Sequence, residues 1–329
     1  MNTKLYTGTG SSNALTGINF QPDLTWIKKR DGTNYHVLTD AVRGATKQIY
    51  SNDTGAEQAV AEGLKSFDSD GFTLGTNGDT NGNGGSYVGW NWKANGAGSS
   101  NTDGSITSTV SANTTAGFSI VKWTGTGSAA TIGHGLGAVP KMIITKNLDE
   151  AQNWFCYHTS LGATKYIRLN ITNASGTSSA IWNDTEPTTS LFSVGNDTAV
   201  NGSSDAMIAY CFAEKAGYSK FGSYTGNGNA DGTFIYTGMK PAFVILKSST
   251  TAESWVLFDN KRLGYNPDNN SLKPDTNGAE NTDNDVDFLS NGFKIIRNTG
   301  YVNTSGATYI YMAFGQSLVG SNNVPCTAR

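Results

Sequence analysis

The chain says the same thing three times, and this limits its possible folds more than any motif in it. A first copy runs from YTGTGSS at Tyr6 through QPDLTWIKKR (21–30) and SDGFTLG (69–75) to YVGWNWKA (87–94). A second runs from WTGTGSA at Trp123 through VPKMIITKN (139–147) and SLFSVG (190–195) to MIAYCFAEKA (207–216). A third runs from YTGNGNA at Tyr224 through KPAFVILKS (240–248) and SNGFKII (290–296) to YIYMAFGQS (309–317). Pro22, Pro140 and Pro241 lie 118 and 101 residues apart, and Lys28, Lys146 and Lys247 keep both intervals. Trp92, Phe212 and Phe314 close the copies. A unit of about 100 residues exceeds the roughly 20–50 of solenoid repeats and can bury a core of its own. The expected division is a repeat over 1–96, a linker over 97–116, a second repeat over 117–216 and a third over 217–329 with a C-terminal tail. The linker centres on NGAGSSNTDGS (95–105), and copies two and three abut near Ala216–Gly217.

The runs themselves read as strands. LTWIKKR (24–30), KMIITKN (141–147) and AFVILKS (242–248) each follow a proline, as strand entrances do. NYHVLTD (34–40), WFCYHTS (154–160) and SWVLFDN (254–260) follow after polar turns, which is a hairpin pattern. In the closing runs aromatic residues alternate, as at Trp90 and Trp92, Tyr210 and Phe212, or Tyr309 and Tyr311, and alternation places rings on one face. One helix is expected over Gly55–Leu64, where Ala56, Ala59, Val60, Gly63 and Leu64 recur at helical spacing. The predicted fold is all-β: three tandem antiparallel β-sandwiches of jelly-roll or lectin-like type.

Composition agrees with that class. Charged residues are 15% and glycines number 40, too little charge for a disordered tail and too irregular for collagen. A net charge of −3 argues against a general nucleic-acid partner. No apolar run reaches the ~18 residues of a spanning helix, and MNTKLYTGTG lacks a signal peptide's apolar stretch. Cys156, Cys211 and Cys326 are too widely spaced for a zinc motif. In MIAYCFA, Cys211 reads as a small buried hydrophobe.

Chemistry finds few footholds. GxSxG, HExxH and the phosphate-loop pattern are absent, and no cofactor is expected. His134, in the turn TIGHGLG, reads as a histidine bonding to backbone. His36 and His158 lie in corresponding hairpin strands, with Asn260 or its neighbours in the third copy. DTNGNG (79–84) starts like a calcium loop with Asp79, Asn81, Asn83 and Gly84, but the twelfth position is Trp90 in place of a bidentate glutamate. Asp283, Asp285 and Asp287 would share one face of an extended strand and are the metal candidates, against the plainer reading of a solvated loop. Trp26 lies in a recurring strand, and Trp154 and Trp255 occupy matched positions in two copies, so recurrence assigns all three to the core. Trp182, flanked by polar residues, is the candidate for glycan or partner contact. The parts the copies do not share are 95–105, the acidic run 281–287, the loop around Trp182 and the C-terminal SNNVPCTAR.

The phrases GLGAVPKMIITK, GATKYIRLN, MIAYCFAEKAGYSKFGSYTGNGNADGTFIYTG and DFLSNGFKIIRN, with WIKKR, AVRGATKQ and SFDSDGFTLG in the first copy, carry a resemblance over roughly residues 5–319. The chain resembles a family of virion structural proteins of unassigned function from tailed bacteriophages, often marine, of tail-fibre, appendage or head-surface type. GQSL (315–318) departs from the acidic ending that AEKA (213–216) gives the second copy. The resemblance implies no catalytic residues. It implies a non-enzymatic structural protein on the virion surface, made in the host cytoplasm: a capsid decoration or a head or tail appendage subunit. Its partners would be other virion proteins and further copies of itself. The alternative is a receptor-binding tail fibre adhering to a host-surface glycan. A polysaccharide-degrading enzyme would need paired carboxylates in a groove, and no such pair stands out. Three like domains could also reproduce a trimer's symmetry within one polypeptide.

Overall fold

The four strand-like runs of each copy become four antiparallel neighbours. In the computed structural model, which describes residues 1–263, 266, 270–283 and 285–315, the opening strands are Asn2–Thr7, Phe118–Thr124 and Ser219–Thr225. Beside them lie the closing strands, Ser86–Trp92, Ala206–Ala213 and Thr308–Gly315. The proline-led strands, Leu24–Lys29, Pro140–Asn147 and Pro241–Ser248, pair with the other edge of the closing strands. Val37–Asp40, Phe155–His158 and Val256–Asp259 complete the hairpins. The closing strand is therefore interior and covered on both faces, which is why its sequence runs apolar almost without a break. Pro140 and Pro241 sit where the register shifts, so their missing N–H groups interrupt no regular ladder. The chain is nearly all β, built from several antiparallel sheets.

A smaller layer covers the outward face of each main sheet. It consists of Asn13–Leu15, Leu64–Asp68 and Gly71–Leu74 in the first copy, and of Ala130–Gly133 with Leu191–Val194 in the second. In the third it is Phe234–Tyr236, Val286–Leu289 and Gly292–Ile295. Three separate apolar clusters lie beneath these layers. The inward faces merge into one cluster, to which Trp26, Trp90 and Trp92, Ile144, Tyr210 and Phe212, and Phe243, Met312 and Phe314 all belong. At its centre Trp92, Phe212 and Phe314 form a triangle of rings with centroids 6.2, 5.9 and 5.9 Å apart. Equivalent positions of the three copies thus meet at one point. The expectation that each copy buries its own core describes only the outward faces.

Three local expectations are corrected. Residues 97–116 are not a bare linker: Ser99–Asn101 and Ser108–Asn113 are strands that extend the second main sheet. Ile106 and Val110 enter the second outer cluster, and serines and threonines fill the positions between, a period-two signal diluted by small polar residues. Gly55–Leu64 is not a helix. Gln58–Ala59 pairs with Lys47–Tyr50, and the Val60 N–H goes to the Thr46 carbonyl. Among the described residues the helices are single turns at Gly78–Asn81, Ser179–Trp182, Thr198–Asn201 and Gly300–Asn303. Third, alternate aromatics do share a face, but not the same one in every copy: Trp90, Trp92, Tyr210 and Phe212 point to the centre, whereas Tyr309 and Tyr311 point outward. Cys326 and the C-terminal SNNVPCTAR lie outside the described residues, as do positions 316–318 of GQSL.

Candidate functional site

Charged groups gather where one copy meets the next. Register places Asp40, His158 and Asp259 at one equivalent position, opposite Leu24, Met142 and Phe243. In the first copy Arg43 Nε donates to Asp40 Oδ2 at 2.5 Å, and Nη1 reaches Glu57 at 3.2 Å. Across the seam, the second copy's Tyr210 hydroxyl donates to Asp40 at 2.8 Å. The third copy repeats this. Arg262 Nε donates to Asp259 at 2.6 Å and Nη1 to Glu280 at 2.9 Å, while the first copy's Trp90 Nε1 donates to Asp259 at 3.0 Å. Glu280 also takes both arms of Arg30 from the first copy. At the remaining seam the third copy places Met312 where Trp90 and Tyr210 stand. A thioether offers no such donor, and here His158 replaces the aspartate and Leu161 the arginine. His158 bonds the Tyr311 carbonyl at 3.1 Å. The contacts close in a cycle: second copy on first, first on third, third on second.

Two further side chains repeat in all three copies. Lys28, Lys146 and Lys247 are fully buried, and each ammonium donates only to backbone carbonyls: Lys29 and Gly32, Asn147 and Glu150, Thr172 and Glu253. Burial pushes each amine down to about 8. Asn81, Asn201 and Asn303, also buried, end the single-turn helices. Their amides donate to the Ser11, Ser128 and Asn229 carbonyls, and their oxygens accept the Thr9, Thr126 and Asn227 N–H groups. No motif marks the D-x-x-R pairs, and Asn81, which the sequence places in a calcium-like loop, shares its role with Asn201 and Asn303; the signal that finds them is the alignment of the copies.

The metal candidates do not converge. Asp283 pairs with Arg297 at 2.7 Å, Asp285 lies 3.7 Å from the same guanidinium, and Asp287 faces Lys294 across the strand pair. Burial raises the Asp285 carboxyl to about 7. Among the described residues no three His, Cys, Asp or Glu side chains are grouped to hold a metal ion. In the calcium-like loop, Asn81 spends its amide on backbone, and Asp79 accepts from Asn34 at 2.8 Å. Trp182 is a correction. It is buried in the second outer cluster, edge-on to Tyr157 at 6.2 Å, and presents no face to a ligand. Ile181 and Trp182 lie on the buried side of the single turn, and Asn183 and Asp184, both in the left-handed region at φ 52° and 48°, carry the chain on from its end. Trp26, Trp154 and Trp255 are core, and the last two also donate to the neighbouring copy, at the Tyr50 and Arg168 carbonyls.

The histidines serve the fold. His134 bonds the Thr188 carbonyl and the Leu136 N–H, and burial pushes His158 down to about 4. His36 accepts from Trp26. It precedes its strand as Trp154 and Trp255 precede theirs, so it is not the counterpart of His158. Cys156 and Cys211 are buried free thiols, pushed upward by desolvation. A cavity of about 380 Å³ on the seam of the first and third copies is lined by Asn2, Asn19, Phe20 and Lys261 among others, with no carboxylate side chain. No helix among the described residues is long and apolar enough to cross a membrane.

The large apolar side chains most exposed to solvent include Phe234 at 44% and Tyr236 at 65%. No motif in the sequence marks them.

No curated protein and no solved structure matches the chain. One family model does, over residues 1–317, a span that takes in all three copies: the chain belongs to the family described as Domain of unknown function (DUF7483).

Proposed function

We propose that the protein is a non-enzymatic structural component of the surface of a tailed-phage virion, a capsid decoration or an appendage subunit, acting through contacts with other virion proteins. In this reading each copy is an antiparallel β-sandwich of about 100 residues, and the three make a single-chain counterpart of a trimer. The observation that carries it is the closed cycle of seams around Trp92, Phe212 and Phe314. Such a body spends its buried charges on holding three copies together and turns polar loops outward, as a contact subunit requires. Main sheets whose inward faces are mutually covered also expose little for uncontrolled association. The phrase resemblance supplies the phage setting.

Electron microscopy of virions labelled with gold-tagged antibody to this protein tests the proposal. Label at a fixed place on particles is expected; label confined to host debris rejects it. The second reading, adhesion to a glycan, is favoured by the exposed rings of Phe234 and Tyr236.

A further inference from the structure

Ile235 pairs with Phe293 as Leu15 pairs with Phe72 and Ile132 with Phe192. These three apolar residues are equivalent and buried. Their neighbours in the strand point the other way, outward. They are Ala14 and Thr16 in the first copy, Thr131 and Gly133 in the second, and Phe234 and Tyr236 in the third. In the second copy the segment through Ile106 runs alongside this strand, Ile106 bridging Ile132, and a Cβ at Gly133 would meet the Asn101 side chain, so the open counterpart is the first copy, where the fold needs no aromatic residue at this position. The rings of the third copy therefore answer to something outside the fold.

Their surroundings define what that is. Two residues apart on one strand, the side chains stand roughly 7 Å from each other on one face. Opposite Tyr236 is Gly292, where a Cβ would first meet the Ile235 carbonyl oxygen, as one at the equivalent Gly71 would meet that of Leu15, and would also come within 3.1 Å of the Phe234 ring. Gly238, at φ +73°, borders the Tyr236 ring. The fold requires both glycines, and with no side chain on either, nothing from these two positions covers the rings. Opposite Phe234 is Lys294, paired with Asp231, and both reach solvent. Two rings supply a few hundred Å² at most, well short of the ~800 Å² per partner of a stable protein interface. Gly232, Thr233, Thr237 and Gly238 around them add no apolar area. A small amphipathic ligand suits this better: apolar C–H faces to lie on the rings, hydroxyls to meet the carboxylate and ammonium at the edge.

We infer that the outward face of Phe234–Tyr236, with Asp231 and Lys294, is a saccharide-binding platform carried by the third copy alone. The inference rests on the adhesive reading and assigns it a place. The test compares the whole chain with a Phe234→Ala/Tyr236→Thr variant, which installs the first copy's residues and so keeps a surface this fold already tolerates. Both are applied to an array of immobilised glucose-, galactose-, mannose- and N-acetylglucosamine-terminated oligosaccharides, with melting temperature as the check on folding. The expected result is wild-type binding that falls by roughly tenfold or more in the variant at unchanged melting temperature. Binding retained by the variant overturns this site while leaving adhesion standing. A blank array for the wild type, as a protein-docking patch would give, overturns both.

Discussion

The side chains of Asp40 and Arg43 are shut off from solvent, as are those of Asp259 and Arg262. Removing charges from water is costly, and a pair so placed is held by mutual attraction and hydrogen bonds that leave little unsatisfied. Truncating one partner strands the other. Arg43→Leu is therefore expected to cost about 3–5 kcal/mol. The second copy shows a different solution at the same position, His158 with Leu161. Asp40→His combined with Arg43→Leu should accordingly cost clearly less than the sum of the two single changes, because the double variant leaves no unpaired buried charge. Urea denaturation of the four proteins measures this coupling; additive losses would reject it. The sequence displays D-x-x-R twice, yet the spacing alone has no meaning until the strand register shows that Asp40, His158 and Asp259 coincide. Trp182 misleads for the opposite reason: its polar neighbours suggest exposure, yet the single turn Ser179–Trp182 lays its last two residues on the second outer cluster.

The hairpin that starts at the proline-led strand is the element most evenly repeated, and its lysine is its fastener. Lys28, Lys146 and Lys247 sit at or near the strand end and hold the carbonyls of the loop that follows. An ammonium held there has lost its water, so its pKa in the fold, about 8, lies below the 10.5 of the exposed group. Between those values the unfolded chain binds more protons than the folded one, and stability rises with pH. Cys156 and Cys211, whose thiols ionise near 9 in the unfolded chain but not when buried, act the other way; the three lysines outweigh them, and the urea midpoint should therefore still increase from about pH 8 to pH 9.5, short of the range near 10 where tyrosines of the unfolded chain ionise. Lys146→Met should lower the midpoint and flatten the slope; an unchanged slope in that variant would show that the lysines do not titrate in this window. These strands were legible because β-branched and aromatic runs, prolines and turn residues agree in each copy. The Gly55–Leu64 segment was not, since a helical spacing of small residues carries little burial energy and the backbone found strand partners at Lys47–Tyr50 instead.

At the scale of the molecule the repetition has a consequence that its unit length hides. A unit of this size can close its own core, and the outward clusters do so. The inward faces cannot, because nothing in a single copy covers them. Alone, the second copy would expose Phe118, Ile120, Ile144, Trp154, Tyr210 and Phe212 together, a patch beyond what soluble monomers usually present. The family match over 1–317 likewise treats the three copies as one piece. Residues 117–216 expressed alone should therefore aggregate or bind a hydrophobic dye, and the whole chain should melt in one calorimetric transition. Phe314→Ala separates this from a chain of independent domains. It removes one corner of the central triangle, at a cost of about 3–5 kcal/mol. If the copies fold as one, the single transition moves down as a whole. If they fold separately, the change should split the trace, with the first two copies melting where they did before and only the third displaced.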